Sequence, residues 1–212
     1  MIKVITFDFD GVIVDSNHLK REAWFKLFPK KEKVSDALIN NVLNRNLATR
    51  FEALRAIFTE LGRSNGKIEG LVGEYAERYN GIVQGGIIEL GLMPGVKEAL
   101  VDLARHCALY LNSATPSDAL SETVENLDLD RFFKGVFSVP PSKVSNLKKI
   151  MEIEGVKKRE VVFVGDGESD YEAARACGIS FVGIKNNFNN WDNTRFPLVL
   201  NIRTINEAIK CL

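Results

Sequence analysis

The chain has 212 residues, 45% hydrophobic and 26% charged, and these fractions are typical of globular proteins rather than of disordered or collagen-like ones. Because 28 Lys and Arg residues balance 28 Asp and Glu residues, the net charge gives no reason to expect nucleic acid as a partner. The sequence has no apolar run near the roughly 18 residues that span a membrane, and no signal-peptide pattern, so we predict a cytoplasmic protein with no membrane partner. Three widely spaced cysteines, Cys107, Cys177 and Cys211, are predicted to be reduced thiols.

Short apolar runs and helical patterns alternate along most of the chain. The runs that are typical of buried strands are residues 2–7, 108–111, 161–164 and 181–184. The helical patterns between the later strands are residues 96–105, 118–127 and 171–177. This order predicts an α/β fold with a doubly wound, mostly parallel, Rossmann-like sheet.

Residues 16–88 interrupt the alternation, because their apolar positions recur at helical spacing and no strand pattern occurs among them. We therefore predict an α-helical cap domain at 16–88, inserted after the first strand, and a Rossmann-like catalytic core formed by 1–15 and 89–212. The glycine-rich segment 81–95 is predicted to be a return linker or hinge. Trp24, Phe25 and Phe28 have helical spacing, which predicts that at least two of them pack in the core of the cap.

Polar residues follow three of the predicted strands, where ligands collect in open α/β sheets. Asp8 and Asp10 follow the first strand, and the alternation of side chains in an extended chain places both carboxylates on one side. Asp166 and Asp170 follow the strand at 161–164. Four carboxylates gathered closely would repel one another unless a cation were present, and Mg²⁺ is the hard cation that fits such ligands.

The segments DFDGVIVDS, LNSAT and GDGESD, in this order and with a lysine between the last two, resemble the haloacid dehalogenase-like hydrolase superfamily. The resemblance spans residues 8–170 and is strongest to the branch of phosphoglycolate phosphatases and β-phosphoglucomutases with an inserted helical cap. It implies a Mg²⁺-dependent phosphatase that hydrolyses a small phosphorylated metabolite, a phosphomonoester, through an aspartyl-phosphate. Asp8 would be the nucleophile and Asp10 the general acid and base. Dehalogenase members lack an acid at the second position, so Asp10 favours phosphoryl chemistry.

The resemblance also assigns the second and third motifs. Ser113 would donate a hydrogen bond to the phosphoryl group, with Ala114 beside it as a substrate-binding residue. Thr115 is a rival for Ser113, although the following Pro-Ser sequence favours Thr115 as a helix N-cap. Lys143 is our choice for the motif lysine that neutralises the phosphate. The alternatives are Lys148 and Lys149, for which a solvated helix face is the simpler interpretation.

By the same resemblance, Mg²⁺ would be bound by the carboxylates of Asp8 and Asp166 and by the backbone carbonyl of Asp10. Asp170 completes the predicted metal site, either directly or by holding Lys143 or a metal-bound water. Glu168 is left out as a surface residue of a first helical turn. Arg50 resembles a cap arginine of phosphosugar-handling relatives and could bind a second anionic group of the substrate, although a surface salt bridge explains it equally well.

Two other functions remain open. The first is a β-phosphoglucomutase-like phosphosugar mutase, but Lys20 stands where those mutases have a histidine, and His18 lies two residues earlier. The second is a receiver-like signalling module with a long-lived phospho-Asp, although such modules lack a long helical insertion after the first strand. The physiological substrate is left open, and so is the choice between a monomer and a homodimer.

Overall fold

The structure is a computed structural model, and it describes residues 1–45, 47, 49–63, 65–187, 189–200 and 202–210. The chain divides into two compact units. The core unit comprises Met1–Asn17 and Ile87–Leu212, and the helical unit comprises His18–Gly86. Because the core unit is formed by both ends of the chain, the helical unit is an insertion into it.

The core unit contains a six-stranded sheet in which every strand pair is parallel. In chain order the strands are β1 Val4–Phe7, β2 Ala108–Ser113, β3 Gly135–Ser138, β4 Val161–Gly165, β5 Ser180–Ile184 and β6 Leu198–Val199. Their spatial order is β3-β2-β1-β4-β5-β6. All residues of β1 and β4 are buried, as expected for central strands covered on both faces.

Nine α-helices belong to the described part of the chain: α1 Ser16–Leu27, α2 Asp36–Leu43, α3 Arg50–Glu60, α4 Asn65–Leu90, α5 Val96–Leu103, α6 Ser117–Asn126, α7 Lys143–Glu154, α8 Glu168–Cys177 and α9 Ile205–Lys210. In the core unit, α7 and α8 pack on each other and on the strands β2 to β5, while α9 packs on α5, β5 and β6. The predicted fold class, a doubly wound parallel sheet with inserted helices, is confirmed.

The sequence patterns missed the two strands at the edges of the sheet. None of the residues of β3 is fully buried, so this strand lacks a continuous apolar run, and β6 is only two residues long. The four strands that were predicted are the central ones. Burial on both faces gives central strands the apolar signal that edge strands lack.

The prediction of a linker over residues 81–95 is wrong for its first ten residues, because α4 continues to Leu90. Gly81 and Gly85 lie inside this helix, at positions where an added Cβ would meet no atom within 4 Å. Glycine weakens a helix by about 1 kcal/mol relative to alanine but does not end it when the rest of a long helix is favourable. Only the segment that follows Leu90 connects α4 to α5.

The helical unit has an aromatic core of its own. Phe28 stacks on Tyr75 with ring centroids 5.3 Å apart, and Phe58 meets Tyr75 edge to face at 5.2 Å. Trp24 is buried against Tyr79, at 4.9 Å between centroids. These contacts confirm the prediction that at least two of Trp24, Phe25 and Phe28 pack in the core of the helical unit.

Two further predictions concern cysteines and membranes. Cys107 and Cys177 are free thiols, and Cys177 is buried; Cys211 lies outside the described residues. Within the described ranges, every helix is too short or too polar to cross a membrane.

Candidate active site

Asp8 lies directly after β1, with its carboxylate at the carboxyl edge of the sheet. Its backbone N–H donates to the carbonyl of Val164 at 2.8 Å, which continues the pairing of β1 with β4. One carboxylate oxygen, Oδ1, accepts from the N–H of Phe9 at 2.8 Å and lies 3.1 Å from Nζ of Lys143. Asp8 is therefore a buried carboxylate with a fixed orientation and a neighbouring cation.

Asp10 lies two residues after Asp8, at the start of a tight turn of the backbone. Gly11 has a φ of +73°, a conformation that suits glycine, and its N–H donates to the carbonyl of Val14. Oδ1 of Asp10 accepts from the hydroxyl of Ser16 at 2.5 Å, and Oδ2 accepts from the hydroxyl of Thr115 at 2.8 Å. Neutral hydroxyl donors therefore hold both oxygens of Asp10.

Ser113 is the last residue of β2 and is fully buried. Its hydroxyl oxygen accepts from the N–H of Thr115 at 3.1 Å, across the exposed Ala114. The sequence-based N-cap role for Thr115 is wrong: the N-cap of α6 is Pro116, and the side chain of Thr115 contacts Asp10 instead. The second motif is thereby connected to the first through Thr115.

Lys143 is the first residue of α7, and its side chain is buried between two carboxylates. Nζ lies 2.5 Å from Oδ1 of Asp170 and 3.1 Å from Oδ1 of Asp8. The other two lysines considered from the sequence, Lys148 and Lys149, have exposed side chains further along the same helix. The structure thus brings Lys143 to the acids and leaves the alternatives on the surface.

A buried amide network fixes the start of α7. Nδ2 of Asn146 donates to Oδ1 of Asn112 and to the carbonyl of Ser138, each at 2.9 Å. Nδ2 of Asn112 donates to the backbone carbonyl of Lys143 at 3.0 Å. Because Asn112 lies on β2 and Ser138 on β3, the network joins both strands to the helix that carries the lysine.

Asp166 and Asp170 lie on either side of the turn between β4 and α8. Oδ2 of Asp170 accepts from the N–H of Gly167 at 3.0 Å, while Oδ1 faces Lys143. Oδ2 of Asp166 accepts from Nδ2 of Asn17 at 2.8 Å and from Nδ2 of Asn186 at 2.6 Å. The two aspartates are thus held by different partners, one by a cation and one by amides.

Three of the four residues predicted for the metal site bring their carboxylates into one cluster. One oxygen from each of Asp8, Asp166 and Asp170 lies within 4.8 Å of the others. Oxygen donors at this spacing, with several negative charges, match the ligand preference of a hard divalent cation such as Mg²⁺. The side chain of Asp10 is outside this group and is occupied by Ser16 and Thr115.

Burial and mutual repulsion raise the pKa values of the clustered acids. Burial, together with the charge of Asp170, raises the pKa of Asp8 to about 7, although Lys143 opposes this shift. Burial and the charge of Asp8 raise the pKa of Asp166 to about 6. Burial also raises the pKa of Asp170. A bound cation would favour the ionised form of each.

The surroundings of Lys143 favour the charged form of its side chain, whereas those of the acids favour the neutral form. Burial alone lowers the pKa of its ammonium group, but Asp8 and Asp170 more than offset burial and raise the pKa above its ordinary value. Lys143 therefore stays protonated over the whole physiological pH range. One fixed positive charge faces the cluster of acids.

Arg50 belongs to the helical unit, where it is the first residue of α3 and follows the N-cap Thr49. Its Nε is buried and has no hydrogen-bond partner among the described residues. Burial lowers the pKa of its guanidinium, an effect that Tyr79 and Glu77 oppose. Because α1 and α2 precede α3, Arg50 opens the third helix along the chain.

Sequence reasoning missed several residues that hold the acids in place: Ser16, Asn17, Asn186 and Asn189. Nδ2 of Asn189 donates to the backbone carbonyls of Asp166 and Ile184, both at 2.9 Å. The available signal was the run KNNFNN directly after β5, which places several amides at the edge of the sheet where the acids lie. Glu168, excluded from the site, is exposed and pairs with Arg195 at 2.6 Å.

The sheet and the site together define a Rossmann-like α/β protein with a carboxylate cluster and a buried lysine at the carboxyl ends of its parallel strands. Residues 5–184 match the model of the family described as haloacid dehalogenase-like hydrolase. The chain therefore belongs to the haloacid dehalogenase-like hydrolase family. This membership confirms the family resemblance drawn from the sequence.

The individual relatives share about a third or less of their residues with this chain. A phosphoglycolate phosphatase from Pseudomonas savastanoi pv. phaseolicola is 31% identical over 104 residues, which are 45% of this chain and 38% of the relative. That alignment spans less than half of the relative's length. One from Photorhabdus laumondii subsp. laumondii is 28% identical over 204 residues, covering 89% of this chain and 82% of the relative. The crystal structure of a candidate beta-phosphoglucomutase from Thermotoga maritima is similar in fold, with a TM-score of 0.77, 21% identity and full coverage of both chains.

Proposed function

We propose that this chain is a Mg²⁺-dependent phosphatase that hydrolyses a small phosphomonoester through an aspartyl-phosphate on Asp8. The observation that carries the proposal is the pair of environments around the first two acids. Asp8 contacts the buried cation Lys143, whereas Asp10 is held by two neutral hydroxyl groups. A nucleophile needs to be ionised, and an acid and base needs to change its protonation state, so the two environments suit the two roles.

In the proposed reaction, a carboxylate oxygen of Asp8 attacks phosphorus, and the bond from phosphorus to the substrate oxygen breaks. The carboxyl group of Asp10 gives its proton to the leaving oxygen. In the second half-reaction, the Asp10 carboxylate takes a proton from a water molecule as the water oxygen attacks phosphorus. The bond from phosphorus to Asp8 then breaks, which releases inorganic phosphate and restores both carboxyl groups to their starting states.

The remaining site residues bind and orient the phosphoryl group. Lys143 would neutralise its negative charge, because its ammonium already contacts the nucleophile. The hydroxyl of Ser113 and the backbone at the exposed Ala114 would donate hydrogen bonds to its oxygens. In this proposal Thr115 orients Asp10 and does not replace Ser113.

The cation would be held by the carboxylates of Asp8 and Asp166 and by the backbone carbonyl of Asp10. Both oxygens of Asp170 are used by Lys143 and by the N–H of Gly167, so we propose that Asp170 supports the site by orienting Lys143. When bound, Mg²⁺ would stabilise the negative charge that the phosphoryl group carries during transfer.

We propose that the helical unit acts as a cap that sets substrate specificity, and that Arg50 binds an anionic group of the substrate. The support for Arg50 is its buried Nε without a hydrogen-bond partner among the described residues. Phosphoglycolate carries such a group, and relatives of this chain are named for its hydrolysis. The location in the cytoplasm and the monomeric or homodimeric state stay predictions from the sequence.

The proposal is tested with the purified chain, Mg²⁺ and a panel of metabolite phosphates that includes phosphoglycolate, sugar phosphates and nucleotides. We expect release of inorganic phosphate, without an isomerised sugar phosphate, and loss of this activity in EDTA. Isomerisation of a sugar phosphate would instead show the mutase. A long-lived phospho-Asp with no turnover would indicate the receiver-like module.

Asp8→Asn should lower the hydrolysis of a generic aryl phosphate by more than about a thousandfold, because the amide cannot attack phosphorus. The rate of phosphate release measures the effect. Glu168→Gln is the matched control, since Glu168 follows a strand at the same edge of the sheet but is exposed and paired with Arg195. Activity of Asp8→Asn equal to that of the control contradicts the nucleophile assignment.

Arg50→Ala should raise KM for phosphoglycolate by about tenfold or more, because a charged hydrogen bond to the substrate contributes about 1.5–3 kcal/mol. The aryl phosphate, which has no second anionic group, serves as the control substrate and should keep its KM. Steady-state kinetics on both substrates make the comparison. Equal effects on the two substrates, or no effect on either, would show that Arg50 has no such role.

A further inference from the structure

Asp166 uses its two carboxylate oxygens in different ways. Oδ2 accepts from the side-chain amides of both Asn17 and Asn186, at 2.8 and 2.6 Å. Gly11 lies against the same oxygen so closely that an added Cβ would be 2.0 Å from it. Two amide donors and the backbone of Gly11 therefore surround Oδ2. Oδ1 of Asp166 is the oxygen that remains available to a ligand.

The amide of Asn186 is itself held in place by a neighbour. The backbone N–H of Asn189 donates to Oδ1 of Asn186 at 3.1 Å, and Oδ1 of Asn189 accepts from the N–H of Asn186 at 3.4 Å. Nδ2 of Asn189 also donates to the backbone carbonyl of Asp166. This turn after β5 fixes the donor and the acceptor together, so Asp166 has little freedom to rotate.

We propose that Asn17 and Asn186 restrict Asp166 to binding a cation through a single oxygen, and that this restriction makes the site prefer Mg²⁺ over Ca²⁺. The inference rests on the proposed function only in taking the acids as a cation site. Mg²⁺ requires near-octahedral geometry with short bonds, and single carboxylate oxygens provide it. Ca²⁺ takes six to eight oxygens and often binds both oxygens of one carboxylate, which the two amides prevent here.

The experiment measures binding of Mg²⁺ and of Ca²⁺ to the metal-free full chain by isothermal titration calorimetry. Asn17→Ala and Asn186→Ala each remove one amide donor. Asn187→Ala is the matched control, because Asn187 lies in the same turn with an exposed side chain. We expect the Kd for Mg²⁺ to rise about tenfold in each of the two variants, the usual scale for residues that orient a metal ligand. The Kd for Ca²⁺ should fall, or rise by less than about twofold, because a less restricted Oδ2 can also bind this ion, so that the preference for Mg²⁺ falls about fivefold or more.

Asn17→Ala is the more decisive variant. Alanine is compatible with the first turn of α1, whereas Asn186→Ala also removes the bond to Asn189. Circular dichroism confirms that each variant is folded. A Mg²⁺ to Ca²⁺ preference that stays unchanged in folded Asn17→Ala overturns the inference, and so does an equal loss of affinity for both ions. If the unaltered chain hydrolyses phosphomonoesters with Mg²⁺ while the preference is unchanged, the inference fails alone; if it binds no Mg²⁺, both proposals fail.

Discussion

Asp8 and Asp10 are separated by a single residue and yet have chemically different surroundings. A cation lies 3.1 Å from Asp8, and burial with neighbouring charge raises its pKa to about 7. Asp10 instead receives hydroxyl hydrogen bonds from Ser16 and Thr115, which can donate to a carboxylate and can also rotate to accept from a carboxylic acid. This difference allows two identical side chains to have two roles in one reaction.

Asp10→Asn should separate the two half-reactions. Transfer to Asp8 from an aryl phosphate should persist, because this leaving group needs little protonation, while turnover should fall by about a hundredfold or more without a base for water. Rapid-quench measurement should show a burst of up to one equivalent of the phenol. The control is Asp15→Asn, which changes an exposed acid of the same segment. Steady turnover at the control rate, without a burst, would refute the role of Asp10.

Among the individual residues of the site, sequence reasoning identified those that follow a strand and missed those that come from other parts of the chain. Asp8, Ser113 and Asp166 were found because each lies within two residues of the end of a predicted strand, and the family resemblance then gave Ser113 its role. Asn17 was missed because it lies 149 positions from the aspartate to which it donates, and nothing local marks its direction. Thr115 was misassigned because the local N-cap pattern was outweighed by a tertiary hydrogen bond to Asp10.

Among the elements, α7 shows how the sheet sets the position of a functional side chain. Its first residue, Lys143, contacts two acids, and its fourth residue, Asn146, is buried against Asn112 of β2. The backbone carbonyl of Lys143 is held by Asn112 as well. The lysine is therefore positioned by buried amides that have no part in the chemistry.

Asn146→Leu should destabilise the fold by about 1–3 kcal/mol, because it leaves the buried Oδ1 of Asn112 and the partly buried carbonyl of Ser138 without this donor. Activity should fall as well, since the start of α7 is released. Urea denaturation gives the free energy of unfolding. Asn126→Ala, an exposed amide that bonds only within α6, should cost less than about 0.5 kcal/mol. Equal costs for the two variants would show that the amide network does not stabilise α7.

For the whole molecule, the acid cluster ties stability to pH and to metal. The folded-state pKa values of Asp8 and Asp166, about 7 and about 6, lie above the ordinary value of 3.8. The folded chain therefore binds these protons more tightly than the unfolded chain does. The resulting stabilisation is complete below pH 3.8 and is lost as the pH rises through 6 to 7, so these groups make the metal-free fold less stable at pH 8 than at pH 5.5.

Added Mg²⁺ should reverse this loss. At about a hundred times its Kd, the ion should stabilise the fold by about 2.7 kcal/mol at pH 8, which corresponds to a rise in Tm of roughly 5–10 °C. The rise should be much smaller at pH 5.5, where protons compete for the carboxylates. Scanning calorimetry with Mg²⁺ or EDTA at both pH values measures the two shifts. A rise in Tm that is equal at the two pH values would contradict the role of Asp8 and Asp166.

The general architecture was predictable, because the four central strands and the helical insertion each have a clear apolar period. The edge strands were not, since β3 is partly exposed and β6 is very short. The extent of α4 was also misjudged, because the local preference of glycine for turns was outweighed by the length of the helix. The incorrect predictions therefore concern segments with little burial, because burial is what produces an apolar period in the sequence.

The order of the strands also constrains how the chain is made. β1 is synthesised first and yet lies between β2, which begins at Ala108, and β4, which begins at Val161. At a translation rate of about 5–20 residues per second, roughly 5–20 seconds separate this strand from its first partner. During that interval Val4, Ile5 and Phe7, all buried in the finished sheet, have no neighbouring strand to cover them. The nascent β1 segment therefore waits longest for its neighbours among the strands, and a ribosome-associated chaperone would have reason to shield it.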